Sequence, residues 1–230
     1  MTGINTSLYR KRTDVILNID LGAIKKNWLH LKSMQNDSCD CGAVVKADAY
    51  GLGADTIAKS LLSAGCRTFY VAHLEEGIAL RNVLGAGATI VVLHGIQVGL
   101  EADCYNYKLI PVINTLDQAK AWSEYSKNRD KPQKVILQTD TGMNRLGMEA
   151  DDLITIINDN AYTLGLEPIA LMSHLACASI ENHPLNLDQL ARFKIALSAT
   201  ITKFPQISAT LSNSSGIFLG SEWHFNATRP

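Results

Sequence analysis

"GAVVKADAYGLGAD", residues 42–55, sets a lysine among residues that should form a buried strand. Gly42, Ala43, Val44 and Val45 are small or β-branched and suit a strand covered on both faces. Lys46 follows them, and Tyr50, Gly51 and Gly53 come before the next helical pattern. Burial at a strand end favours the neutral amine and makes it a nucleophile toward a carbonyl carbon. A lone lysine in such a place more often snorkels to solvent. The glycine-containing strand-to-helix turn behind this one suits the close approach of a phosphate. The third glycine of a dinucleotide fingerprint is missing, which argues against that fold.

Outward from this stretch, short β-rich runs recur: "GAVVKA" (42–47), "TFYVAH" (68–73), "TIVVLHG" (89–95), "KLIPVIN" (108–114), "KVILQTD" (134–140), "IALMSHLA" (169–176) and "ISATLSN" (207–213). Segments with helical spacing lie between them. In "ADTIAKSLLSAG", Ile57, Leu61 and Leu62 share a face and Gly65 marks the stop. Strands apolar on both faces, each followed by a helix, predict a parallel sheet covered by helices. Seven such units point to an α/β fold of the (β/α)8 TIM-type barrel class, whose chemistry sits at the C-terminal strand ends. An eighth strand should start near "HFNATRP", where the sequence stops, so the barrel is expected to be incomplete there. An open sheet edge between strands one and seven would follow. Before the barrel, "TDVILNIDLGAIKKNWLHLKSM" reads as a further strand, with Val15, Leu17 and Ile19 alternating, and a helix. Residues 1–40 are thus expected to lead into a barrel domain over 41–230.

The 230 residues are 47% hydrophobic and 19% charged, ordinary for a soluble globular protein. A net charge of -1 gives no electrostatic case for nucleic acid or an anionic membrane as partner. "MTGINTSLYRKRTD" has no apolar stretch behind its charges, so no secretory signal is expected. No run approaches the ~18 apolar residues of a membrane span. Of five cysteines without a CxxC pair, Cys66, Cys104 and Cys177 read as buried free thiols, Cys39 and Cys41 could ligate a metal only with help from afar, and a reducing cytoplasm fits best. His73, His94, Cys177 and His183 have no metal-ligand spacing, and no metal is expected.

"VVKADAYGLGA" resembles the cofactor-lysine motif of the alanine racemases. Further matches follow in order: "VAHLEEGIALR" (71–81), "DTGMNRLGM" (140–148), "LMSHLACA" (171–178), "LSNSSG" (211–216) and the terminal "RP". The resemblance covers nearly the whole chain. It implies a racemase that interconverts L- and D-alanine with pyridoxal 5'-phosphate, a cytoplasmic homodimer supplying D-alanine for peptidoglycan. Lys46 would carry the cofactor on its amine and act as one of two proton-transfer bases. Tyr50, Ser214 and Asn213 would hold the phosphate, and Leu74 would lie near the ring. His174 would pack against the ring, linked to Arg229, whose guanidinium would face the pyridine nitrogen. An arginine does not readily exchange protons near neutral pH, so that nitrogen would stay unprotonated. Arg145 would bind the substrate carboxylate through its planar fork. The family often orients this arginine with a carbamylated lysine seven residues upstream, where this chain has Gln138. An amide can accept from a guanidinium but brings no charge.

The same resemblance implies a C-terminal β-rich domain that carries the second base, a tyrosine reaching into the partner subunit's site. That domain is absent from these residues, so the chain reads as an N-terminal barrel domain, inactive or weakly active by itself. The alternative is a single-domain cofactor carrier resembling the pyridoxal phosphate homeostasis proteins. Length favours it; "DTGMNRLGM" and "SNSSG" do not. A decarboxylase of the same barrel type would need an acidic partner for the pyridine, where Arg229 stands, and a cofactor-free aldolase lysine is the third rival.

Overall fold

The computed structural model describes residues 15–230; the segment read as lacking a secretory signal lies outside these residues. Each apolar run of the sequence becomes a strand, and the nine strands are all parallel. They are β1 (Asp40–Cys41), β2 (Ala43–Val44), β3 (Thr68–Val71), β4 (Thr89–Val92), β5 (Ile110–Ile113), β6 (Gln133–Gln138), β7 (Leu166–Met172), β8 (Ser208–Asn213) and β9 (Ala227–Arg229). β1 and β2 are halves of one barrel strand, broken at Gly42. β2 pairs with β3, and β1 turns the other way to pair with β9. The break is tight: a Cβ at residue 42 would lie 2.6 Å from Cε2 of Tyr70 and 3.1 Å from the Thr68 carbonyl.

β9 closes the ring, and this corrects the open edge expected from the sequence. Asp40 lies opposite Ala227 and Cys41 opposite Thr228, with β8 on the far side of β9. The Gly42 amide donates to the Thr228 carbonyl at 3.0 Å, and the Val44 amide to that of Pro230 at 2.8 Å. Three residues suffice as the eighth strand because each edge of so short a segment meets a neighbour.

Side chains alternate along each strand between two cores. Tyr70, Val91, Val112, Ile136, Ala170 and Met172 form the cluster inside the ring. Their neighbours Phe69, Val71, Ile90, Val92, Leu137 and Leu171 face the helices. Burying each such side chain stabilises by roughly 1.5–3 kcal/mol.

Among the described residues, seven right-handed helices of six or more residues cover the outside: α1 (Leu21–Ser33), α2 (Ala54–Ser63), α3 (Leu74–Leu84), α4 (Glu101–Asn106), α5 (Leu116–Ser126), α6 (Ala150–Asn158) and α7 (Pro184–Lys203). α2 ends as read, with Gly65 at φ 104° and the Cys66 amide bonded back to Leu61. α1 starts on Asp20, whose carboxylate accepts from the Ala23 amide at 3.0 Å. It docks across the broken strand, where the Trp28 indole donates to the Gly42 carbonyl at 2.9 Å. The strand expected over Val15–Ile19 does not form. Val15 and Leu17 are 86% and 71% exposed, and no described strand pairs with them. Among the described residues, no helix is long and apolar enough to cross a membrane.

Gly42→Ala should destabilise the chain by about 1–3 kcal/mol, because Tyr70 fills the barrel interior and cannot yield. A denaturant midpoint equal to that of the wild type would show that the break tolerates a side chain.

Candidate active site

The C-terminal strand ends surround one cavity of about 540 Å³. Lys46 enters it directly after β2. Ala72 and Leu93 follow from β3 and β4, Gln138 and Arg145 from β6, His174 from β7, Asn213 and Ser214 from β8, and Arg229 from β9. Among the described residues no Asp or Glu lines the wall, whereas Lys46, Arg145 and Arg229 all do. The site is built to receive negative charge.

Lys46 is placed by an unusual backbone. Ala47, Asp48, Ala49 and Tyr50 all have φ between 51° and 56°, so four L-residues form a left-handed turn. Each costs roughly 1–2 kcal/mol relative to the right-handed form. The turn is tied down by its own ends. The Ala49 amide donates to the Val45 carbonyl at 2.9 Å, and Asp48 caps α2 through the Ala54 amide at 2.7 Å. Burial lowers the Lys46 pKa, Arg145 lowers it further, and Glu76 opposes them. The Tyr50 ring lies 5.9 Å from the amine.

Arg145 sits on the loop after β6. Asp140 organises that loop by accepting from the amides of Gly142, Met143 and Asn144 at 2.8–2.9 Å. Gly147, at φ 109°, has no room for a Cβ, which would lie 2.8 Å from the Asp140 nitrogen. Gln138 does not reach the guanidinium. It donates instead to the Leu146 carbonyl at 3.2 Å, one residue beyond Arg145. Among the described residues the Arg145 guanidinium finds no acceptor, so neither the amide nor another anion holds it.

The floor is Arg229, a buried cation without a carboxylate. It donates to the Thr210 hydroxyl, to the Ser173 carbonyl at 2.5 Å and to the Leu211 carbonyl at 3.3 Å. Burial pulls its pKa down to about 10, which leaves it charged near neutrality. His174 stands beside it, with Nδ1 3.4 Å from the guanidinium and Nε2 3.5 Å from the Asn213 amide nitrogen. Both ring nitrogens thus face donors, and an imidazolium would set N–H against N–H on each side. Burial, then Arg229, Arg145 and Lys46, push its pKa down to about 3. His174 is neutral at pH 7.

At the end of β8, the Asn213 side chain accepts from the Gly216 amide at 2.9 Å, starting the short helix α8 (Ser214–Ile217). Asn213, Ser214 and Ser215 present their polar groups on that wall.

The structure gathers Lys46, Tyr50, Arg145, His174, Asn213, Ser214 and Arg229 around the cavity, but not Leu74. Leu74 opens α3 and packs in the outer core; Leu93 lines the cavity instead. Two supporting residues escape the sequence reading. Gln189, fully buried on α7, accepts from the Ala176 amide at 2.9 Å and donates to the His174 carbonyl at 2.9 Å and the Thr141 hydroxyl at 3.2 Å. An amide amid the apolar residues of "NLDQLARF" was its only signal. Glu76 reads only as a helix cap, three residues after His73. The five cysteines are free, and burial raises Cys39 to about 11 and Cys66 to about 12, so these two are inert at neutral pH.

A parallel barrel with an amine at one strand end and a cationic, acid-free mouth defines an anion-binding (β/α)8 protein. The family model described as "Alanine racemase, N-terminal domain" matches residues 19–230, and the chain belongs to that family. The alanine racemase of Rhodospirillum rubrum is 40% identical over 222 residues, 96% of this chain and 58% of that protein. The catabolic alanine racemase of Agrobacterium fabrum is 44% identical over 214 residues, 93% of this chain and 54% of that protein. Among solved structures, the Bartonella henselae alanine racemase with covalently bound pyridoxal phosphate superposes with a TM-score of 0.86 at 37% identity, over 92% of this chain and 58% of that one. The biosynthetic alanine racemase of Pseudomonas aeruginosa gives 0.81 at 31%, over 92% and 57%. The chain therefore spans little more than half the length of these relatives.

The His174 ring should show no protonation shift in its imidazole nitrogen resonances between pH 8 and about 5. Its folded pKa lies below the unfolded value of about 6.5, so its stabilising contribution is complete above that value. The contribution is lost as pH falls toward 3. A midpoint near 6.5 would overturn the donor-facing placement.

Proposed function

We propose that this chain is the cofactor-binding barrel of an alanine racemase and carries one of its two proton-transfer bases. The observation that bears most on this reading is the pairing of a half-buried Lys46 amine with a buried, carboxylate-free Arg229 in one acid-free cavity. These residues fit pyridoxal 5'-phosphate. A cavity of about 540 Å³ is of ligand size, and its cations match a phosphate, a phenolate and a substrate carboxylate. When bound, the cofactor supplies a covalent link to the amino-acid nitrogen and an electron-withdrawing ring that acidifies the adjacent Cα–H.

The chain's own residues then divide the work. Lys46 Nζ would hold the cofactor aldehyde and, as a free amine, would take or return a proton at Cα. Its depressed pKa keeps more of the amine unprotonated for both tasks. Arg229 offers only N–H donors, so it hydrogen-bonds a ring nitrogen without giving it a proton. A ring nitrogen held in this way would stay unprotonated, and the cofactor would be a weaker electron sink. His174, neutral and flanked by donors, packs beneath without competing for the proton. Tyr50, Ser214 and Asn213 hold the phosphate, and Arg145 takes the carboxylate through its fork. Leu93, in place of Leu74, walls the ring.

Tyr50 lies over the Lys46 amine itself, so we assign a single proton carrier to these residues. The second base would be a tyrosine from a further domain of a partner subunit. The reading extends to a cytoplasmic homodimer that supplies D-alanine for peptidoglycan.

Borohydride treatment of the chain with pyridoxal 5'-phosphate should leave a reduced adduct on Lys46, abolished by Lys46→Ala. An adduct on another side chain, or none, would sink the proposal. With the cofactor in deuterium oxide, the 230-residue chain should exchange the α-hydrogen of one alanine enantiomer and form little of its mirror image. Full racemisation by this chain would show that both bases are present.

A further inference from the structure

We propose that Glu76 is a positioning residue for Lys46, holding the left-handed turn that aims the amine into the cavity. The inference rests on Lys46 as the reacting amine. Glu76 belongs to α3, in the next βα unit, and its two oxygens serve different elements. Oε2 accepts from the amides of Ala72 at 2.6 Å and His73 at 3.1 Å, closing the start of α3. Oε1 reaches across to the amide of Ala47, the residue after Lys46, at 2.7 Å. A helix cap needs only the first pair. The second bond crosses 29 residues and lands on the first left-handed residue of the turn.

That turn requires such a tie. Four non-glycine residues in the left-handed region persist only where their surroundings over-determine them. The other described bonds of residues 47–50 run to Val45, Leu52, Gly53 and Ala54, all within the same loop and helix start. The Glu76 carboxylate is the one described side chain from another unit that grips this backbone. A charged acceptor makes the bond stronger than a neutral carbonyl would. It also carries an electrostatic consequence. Glu76 raises the Lys46 pKa against burial and Arg145, while Tyr50 faces the amine with a ring and His174 nearby is neutral. One carboxylate thus braces the turn that carries the amine and partly offsets the lowering of its pKa by burial and Arg145.

The test compares the wild-type chain with Glu76→Gln, which keeps the shape but not the charge, and Glu76→Asp, which keeps the charge but shortens the reach. Acetylation of Lys46 by acetic anhydride across pH, read by mass spectrometry against Lys59 as an internal reference, reports the amine without cofactor. In Glu76→Gln its pH midpoint should move down while that of Lys59 stays. Amide exchange over residues 47–53 should rise at least tenfold in both variants. Adduct formation with pyridoxal 5'-phosphate should slow by a similar factor. Should either variant fail to fold, the other carries the comparison, and protection of the Ala47 amide in the wild type is read directly. An unprotected Ala47 amide would overturn the proposal. So would faster exchange confined to residues 72–77 with Lys46 unchanged, since Glu76 would then be a cap alone. If the wild type forms no adduct but the acetylation and exchange effects appear, the racemase reading fails and the role of Glu76 stands.

Discussion

Arg229 ties the closing of the barrel to the electrostatics of its mouth. It is the last residue of β9, the strand that joins β8 to β1, and its side chain lies at 4% exposure. A buried cation without a counter-charge costs several kcal/mol, and the cost falls only if its hydrogens find acceptors. Here they find the carbonyls of Ser173 and Leu211 and the hydroxyl of Thr210, which belong to the ends of β7 and to β8. The same contacts that make the charge bearable therefore fasten β9 against its neighbours. The charge then dictates what can stand beside it. His174 stays neutral, no acid lines the cavity, and the open side of the guanidinium suits a ring nitrogen that keeps its lone pair.

How much of this was legible in the sequence follows from the range of each interaction. The long β-rich runs announced a parallel barrel because strands covered on both faces need apolar residues on both. Lys46 stood out because a cation interrupts that pattern. The start of an eighth strand near "HFNATRP" was expected, but not that "ATR" completes the ring, since it is short and one of its two partners, β1, lies almost two hundred residues away. Leu74 and Leu93 each follow a strand closely, and only the three-dimensional course of the chain shows which remains at the mouth. Val15–Ile19 shows the reverse. Its alternation is that of a strand, but alternation without a neighbour leaves an exposed segment.

Gln138 shows what a substitution on the family pattern does to a neighbour. A charged group there would face the guanidinium directly. The amide turns to the Leu146 carbonyl instead, so it fastens the loop and leaves the arginine head free. The loop is already rigid without it, through Asp140 and the ladder contact between Thr139 and Met148. The backbone of Arg145 is thus fixed and its guanidinium is not. A carboxylate entering the cavity meets a donor that must be oriented on binding, and the side-chain entropy of that step is spent then and not during folding.

Two charges act on the Lys46 amine in opposite directions. Arg145 lowers the amine pKa from the far side of the cavity mouth, and any anion it binds will neutralise that influence. Glu76 raises the pKa from behind the turn, where its bonds to three amides keep it in place. Burial is the largest of the lowering influences and does not depend on Arg145, so an anion bound there would shift the balance toward Glu76 without removing the depression.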